Sequence, residues 1–169
     1  MKRESMNYAE KVKRFLNQLD LDFNIHEEDD DTAVFLFPMP AKTGSSFHIR
    51  LRIDRKGDSK FWCFLAHGVK EVKKNAMLQT LNTLNDQYRF LRFSLDKDND
   101  ICADYDFILF GDGKNAGEQV ITLLMLMTEI MDTCTEAIMK TMWSRPVPET
   151  SEQNIKFNLF GTQEGDNEA

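Results

Sequence analysis

Three segments of the chain repeat apolar residues with the spacing of an amphipathic helix. They span residues 5–20, 69–87 and 116–143, and in each the apolar positions recur every three or four residues. Asn115 followed by Glu118 predicts a capping box at the start of the third helix. The stripes of the first two helices consist of Tyr8, Val12, Phe15, Leu16, Leu19, Met77, Leu81, Leu84 and Tyr88.

The chain between the first two helices has the pattern of strands. Residues 47–53 alternate apolar with basic side chains, which predicts a strand whose basic residues face water. Residues 61–65 are apolar at every position, which predicts a central strand covered on both faces. Residues 33–37 predict a further strand, and Pro38 and Pro40 are expected to end it.

The remaining short segments complete the predicted sheet. Residues 22–26 favour a short strand, and the acidic run over 27–31 is interpreted as a loop or an exposed edge. Residues 89–95 and 101–109 predict a hairpin, with residues 96–100 as its polar turn. The order α-β-β-β-α-β-β-α, with the extra strand near 22–26, predicts an α+β fold with an antiparallel sheet.

The third helix has more apolar surface than a core face requires. Its main apolar arc is predicted to face the core, and a second, partial stripe lies outside that arc. We expect the stripe to contact a second copy or another protein, or to be covered by the chain's own tail or loops. The second helix is the next candidate, although its asparagines also favour ties to the next strand. The interface candidates are Ile121, Met125, Met139, Trp143, Leu78, Asn82 and Asn85.

Residues 144–169 are predicted to form an acidic tail behind a single domain over residues 1–143. Two basic and five acidic residues lie in it. Apolar residues alternate with polar ones near 155–160, which predicts a strand that docks on a sheet edge, beside the third helix or on a second copy. The docked tail is either regulatory, competing with partners, or a permanent structural strand. The docking residues are Ile155, Phe157, Leu159 and Phe160.

The composition limits the class of protein. There are 21 basic and 28 acidic residues, a net charge of −7, which argues against a general nucleic-acid binder. Three widely spaced cysteines argue against a disulfide framework and favour the reducing cytoplasm. The charged N-terminus has no apolar region after it, which argues against a signal peptide. The apolar run over 120–127 falls well short of the ~20 residues that span a membrane.

Two groups of residues partly match the patterns of metal-binding or catalytic sites. Asp96, Asp98 and Asp100 match the start of a calcium loop, but the sixth and twelfth positions carry no glycine or glutamate, so a solvated turn is expected. Cys63 and His67 share a strand face, yet four residues separate them by about 13 Å, too far for a thiol–imidazole dyad. Phosphate-binding and nucleophile motifs are absent from the sequence as well. We therefore expect that the protein is not an enzyme and binds neither a metal ion nor a cofactor.

A basic strip follows the alternating strand. Arg50 and Arg52, with Arg55 and Lys56 in the next turn, lie beside His48. Aromatic residues are not expected to share its face, so we interpret the strip as a solvated surface paired with carboxylates such as those of residues 27–31. An acidic protein partner and nucleic acid are the less favoured alternatives.

Several short motifs give the chain a family resemblance. Leu81-Asn82-Thr83-Leu84-Asn85, Tyr88-Arg89-Phe90 and Arg92-Phe93-Ser94-Leu95-Asp96, followed by Asp98 and Asp100, precede a long apolar last helix. Over about residues 5–143 the chain resembles the YbjN family of bacterial proteins, known as sensory transduction regulators. That family is similar in fold to class I type III secretion chaperones, which implies an α+β domain that forms homodimers and binds protein segments. The resemblance implies no active site.

We therefore predict a non-enzymatic, cytoplasmic protein-binding or chaperone-like regulatory module. Its expected partners are a second copy of itself and an unidentified protein, with no nucleic acid and no membrane. The alternative is a small-molecule or ion sensor with a pocket between sheet and helices, which requires convergent polar groups in a closed cavity.

Overall fold

The computed structural model describes residues 7–29, 32–42, 44 and 46–145. Six strands of this part of the chain form one antiparallel sheet. The helices are α1 (Tyr8–Leu16), α2 (Lys74–Gln87) and α3 (Gly113–Trp143), and a 3₁₀ turn at Glu71–Lys73 precedes α2. The strands are β1 (Asn24–Asp29), β2 (Thr32–Pro40), β3 (Ser46–Asp54), β4 (Asp58–Ala66), β5 (Arg92–Leu95) and β6 (Ile101–Ile108). Their order across the sheet is β1-β2-β3-β4-β6-β5.

The predicted fold class and order of elements are confirmed. The alternation of β3 is reproduced as buried and exposed positions. Strand β1, which carries the start of the acidic run, is an edge strand that pairs with β2 and with no other described strand. The hairpin of β5 and β6 is also confirmed, and its turn is closed by Asp96, whose carboxylate accepts the backbone N–H groups of Asp98 and Asp100. In the described part of the chain, no helix has the length and apolarity needed to cross a bilayer.

One face of the sheet carries the core, and the three helices pack on it. Alternate residues of β3, β4 and β6 point into this core, which α1 and α3 complete. The prediction that β4 is covered on both faces is wrong. Phe61 and Cys63 are buried, whereas Trp62 is half-buried and Phe64 is 39% exposed. The helices of the described residues lie on the other side, and none of them covers this face, which we call the open face.

Strand β2 continues through Pro38 and Pro40, which were expected to end it. Both prolines remain in register with β3, opposite His48 and Ser46. Strand β1, however, pairs with β2 only as far as Leu36. Beyond that point a proline nitrogen, which carries no hydrogen, can face a side of the strand that has no partner.

Helix α3 begins earlier than predicted and packs closely on α1. Its N-cap is Asp112, whose side chain accepts the backbone N–H of Asn115, so Asn115 lies in the first turn and not at the cap. Gly117 is buried, and a β-carbon at this position would lie 2.2 Å from Cγ of Phe15. The missing side chain therefore makes room for the aromatic ring between the two helices.

Candidate functional site

The open face of the sheet carries one continuous row of side chains. In each strand the row uses the position directly opposite the one before it, so the residues face the same side. The central strand contributes an aromatic residue, the strands beside it contribute opposite charges, and β2 contributes an aliphatic residue. From β1 to β5 the row reads Asn24, Leu36, Arg50, Trp62, Asp104 and Arg92.

One half of this row borders an apolar groove. The groove has a volume of about 440 Å³, within the range of natural ligand pockets. Arg50 is the charged group among the described lining residues, none of which carries a carboxylate. Among the described residues Arg50 makes no ion pair, but its guanidinium lies 5.8 Å from the ring centre of Phe64. The groove is lined by Asn24, Ile25, His26, Val34, Leu36, Arg50 and Trp62.

The other half of the row is a compact polar cluster. The carboxylate of Asp104, which is buried, accepts from Nζ of Lys60 at 3.0 Å and from the guanidinium of Arg92 at 2.7 Å. The bond to Asp104 raises the pKa of Arg92. Lys60 also lies 3.7 Å from Asp106. Because these charges neutralise each other, the apolar half is the part of the face suited to a further ligand.

An aromatic and polar corner closes the face where β4 ends. The rings of Phe64 and His67 stack with their centres 5.6 Å apart. Nδ1 of His67 lies 2.8 Å from the carboxylate of Asp100, which also accepts the backbone N–H of Gly68. These two bonds, the one to His67 first, lower the pKa of Asp100. The corner therefore fixes the loop after β4 against the turn between β5 and β6.

The thiols and carboxylates offer little chemistry. Burial raises the pKa of Cys63, Cys102 and Cys134 to about 11, so all three are protonated at neutral pH. The thiol of the buried Cys63 donates to the backbone carbonyl of Phe64, whereas the exposed His67 bonds the carboxylate of Asp100, so the two side chains have separate partners. Within the described residues no three His, Cys, Asp or Glu side chains are grouped to hold a metal ion.

The interface candidates on α3 are unequally exposed. Met125 is 63% exposed and Trp143 is 78% exposed. Ile121 and Met139 are half-buried and pack against the core. Since 14 residues separate Met125 from Met139, the stripe consists of two patches roughly 20 Å apart along the helix.

The candidates on α2 divide in the same way. Leu78 is 43% exposed and Asn82 is exposed. The amide of Asn85 bonds both backbone groups of Phe93, which confirms the interpretation that an asparagine of α2 ties this helix to the next strand. The docking candidates of the tail, Ile155, Phe157, Leu159 and Phe160, lie outside the described residues.

The sequence analysis did not identify the residues of the open face, because it predicted that β4 is covered on both faces. The prediction that no aromatic residue shares the face of the basic strip is also wrong, because Trp62 lies directly opposite Arg50. The signal was present in β3. Its basic residues indicate a face of the sheet that is exposed to solvent. Residues paired across neighbouring strands lie on the same side of the sheet, so Trp62 and Phe64 of the next strand belong to this solvent-exposed face.

Comparisons with known proteins identify a family for the chain. The YbjN family, described as "Putative bacterial sensory transduction regulator", matches residues 8–139. A crystal structure of YbjN from E. coli, described as "a putative transcription regulator", superposes with a TM-score of 0.49 at 12% identity. The match covers 76% of this chain and 91% of that one. No curated protein sequence matches the chain.

Proposed function

The chain belongs to the YbjN family, and on this premise we propose that it is a non-enzymatic regulatory module that binds a protein segment on the open face of its sheet. The observation that carries the proposal is the apolar groove beside Arg50 and Trp62. A solvent-facing sheet surface that combines aliphatic and aromatic side chains with Arg50, which makes no ion pair among the described residues, suits a peptide with apolar and acidic side chains.

The edge of the sheet at β5 is a poor alternative site. The side chain of Asn85 accepts from the backbone N–H of Phe93 and donates to its carbonyl oxygen. These are the two groups that a strand added to this edge would bond. A partner is therefore better accommodated on the face of the sheet than at this edge.

We further propose that the module acts in the cytoplasm as a homodimer through α3. The exposed Met125 and Trp143 support the dimer, because large apolar side chains on a helix surface gain by association. The three described cysteines are all free thiols, which suits a reducing compartment. The sensor alternative needs polar groups that converge between sheet and helices. That space is filled by buried apolar side chains such as Phe35, Phe61 and Met127.

Photo-crosslinking in the source cells tests the binding face. A benzophenone amino acid replaces Phe64 on the open face in one variant and the exposed Phe110, away from the groove, in the control. We expect other proteins to be captured from position 64 and not from position 110, and the capture to be lost when Trp62→Lys is added. Capture of the same proteins at both positions, or of none at position 64, would overturn the proposal.

A further inference from the structure

We propose that a second copy of the chain inserts its Met125 into a groove between the end of α2 and the middle of α3. This groove, which we call the helix groove, has a volume of about 490 Å³. Phe90, which follows α2, lies on one side of it, and Leu126 and Ile130 of α3 lie on the other. This rests on the proposed homodimer through α3 and names the surfaces that meet in it.

The apolar wall of the helix groove is held in place by the core. The ring of Phe90 is 43% exposed and meets the ring of Tyr105 edge to face, with the ring centres 6.1 Å apart. On one side of Phe90 in the chain, Leu91 is buried in the core. On the other side, the backbone N–H of Tyr88 donates to the carbonyl of Leu84 at the end of α2. The wall is therefore anchored before and after Phe90, so binding does not first have to order it.

The helix groove carries two opposite charges that do not pair with each other. Arg89 and Glu129 both belong to its lining, yet among the described residues neither side chain makes an ion pair. The guanidinium of Arg89 lies 5.6 Å from the ring centre of Phe90. A surface with one cation and one anion is complementary to a copy of itself, because a two-fold contact places the cation of each copy against the anion of the other.

The same surface supplies an apolar side chain that fits the groove. Met125 is 63% exposed, directly precedes Leu126 of the groove wall and lies one helical turn before Glu129. Methionine adapts to irregular apolar space because its side chain is unbranched and flexible. In a two-fold contact each Met125 enters the groove of the other copy, so both grooves are filled at once.

The open face lacks this self-complementarity. Its groove has Arg50 as the charged group among the described lining residues, so two copies that met there would bring two cations together. The helix groove lies on the side of the sheet that carries the helices. A dimer formed through it therefore leaves the open face accessible to a bound segment.

Charge reversal on the full chain is the first test. We expect Arg89→Glu and Glu129→Arg, each alone, to raise the dissociation constant of the dimer about tenfold or more, because symmetry creates two like-charge contacts in each variant. A mixture of the two variants should form a heterodimer, and the variant with both substitutions should dimerise as the parent protein does. Lys97→Glu and Asp98→Arg make the same changes in the exposed turn before β6 and should have no effect.

Analytical ultracentrifugation measures these dissociation constants. Three results would overturn the inference: single reversals that dimerise like the parent protein, a mixture that associates no more tightly than each variant alone, and a double variant that stays monomeric.

Cysteine crosslinking supplies a second test that does not depend on charge. When Phe90→Cys and Met125→Cys are mixed and oxidised with copper phenanthroline, we expect a disulfide bond between position 90 of one chain and position 125 of the other. Phe110→Cys, at an exposed site outside the groove, replaces Met125→Cys in the control and should give no such link. Absence of the link between positions 90 and 125, or an equal yield in the control, would refute the placement of Met125.

The outcomes separate this inference from the proposed function. A protein that is monomeric at high micromolar concentration, yet captures partners at position 64, would refute the dimer and leave the binding of a protein segment standing. A dimer that ignores both charge reversals would refute the helix groove and leave another part of α3 as the interface.

Discussion

The side-chain amide of Asn85 satisfies both backbone groups of Phe93. Oδ1 accepts from the N–H of Phe93 at 2.7 Å, and Nδ2 donates to its carbonyl oxygen at 2.9 Å. One asparagine of α2 thus takes the place that a neighbouring strand would take beside β5. Exposed strand edges invite pairing with other chains, and this contact closes one of them.

Replacing Asn85 tests the importance of that contact. We expect Asn85→Ala to lower the free energy of unfolding by about 1–3 kcal/mol, because two hydrogen bonds to partly buried backbone groups are lost. Asn82→Ala, an exposed asparagine on the same helix, should change it by less than about 0.5 kcal/mol. Urea denaturation measures both values. Equal effects of the two substitutions would contradict the assignment.

Lys73 is buried and holds the end of α3. Its ammonium group bonds the carbonyl of Thr141 and both the carbonyl and the hydroxyl of Ser144. Lys73→Met keeps most of the side-chain volume but leaves these carbonyls without their donor, so we expect a loss of about 1–3 kcal/mol in the free energy of unfolding. Lys74→Met, at a more exposed position, is the matched control. Thermal and urea unfolding should rank the two variants in this order, and the reverse ranking would refute the role of Lys73.

The contact of Gly117 with Phe15 predicts an unusual response to alanine. Alanine normally stabilises a helix relative to glycine by up to about 1 kcal/mol. At position 117 the new methyl group collides with the ring, so we expect a destabilisation of about 1–3 kcal/mol. Gly113→Ala, at an ordinary contact distance of 3.5 Å, serves as the control. Phe15→Leu should reduce the cost of Gly117→Ala in a double-mutant cycle, and strictly additive effects would argue against the collision.

The bond between His67 and Asp100 predicts a dependence of stability on pH. The pKa of Asp100 is lowered in the folded chain, so its contribution is present above the usual pKa of aspartate and is lost as the pH falls through the lowered value. Asp100→Asn should therefore flatten the decline of the melting temperature on the acid side of about pH 4. Asp98→Asn, in the same turn, is the control. Parallel melting curves of Asp100→Asn and the parent protein against pH would contradict this prediction.

The apolar stripe of α3 predicts the mode of self-association. Met125→Glu with Met139→Glu places charges on both patches, and we expect the dimer to dissociate because a buried unpaired carboxylate is costly. Thr122→Glu with Thr133→Glu adds the same charge to exposed positions of the helix and should leave the dimer intact. Light scattering distinguishes these outcomes. A monomeric parent protein at high micromolar concentration would refute the dimer, and a dimer that survives both pairs of substitutions would direct attention to Leu78 and Asn82 on α2.

Much of the fold follows from periodicity in the sequence. The alternation in β3 and the stripe of α1 are strong signals, because each repeats one geometry over several residues. The open face was harder to foresee, because Trp62 and Phe64 are apolar and an apolar residue does not by itself indicate whether it faces core or water. Only the pairing of β4 with β3, which is a tertiary contact, assigns them to the exposed side.

The exact ends of the helices and strands could not be predicted from the sequence, because they depend on distant contacts or on a choice between two similar neighbouring residues. Asp112 and Asn115 are both good caps, and the structure uses the earlier one. The continuation of β2 past Pro38 depends on where β1 stops pairing, which no local pattern encodes. The sequence predicted that an asparagine of α2 would bond the next strand, as Asn85 does with Phe93. That this bond covers an edge of the sheet follows only from the order of the strands, in which β5 is last.

The packing of α1 on α3 has a consequence for the timing of folding during synthesis. Helix α1 leaves the ribosome before α3, but the surface that buries Val12 and Leu16 is completed by α3, about 100 residues later in the chain. A nine-residue helix has little stability of its own in water. The apolar side of α1 therefore stays unprotected until α3 has been synthesised, and the domain closes only after α3 has emerged.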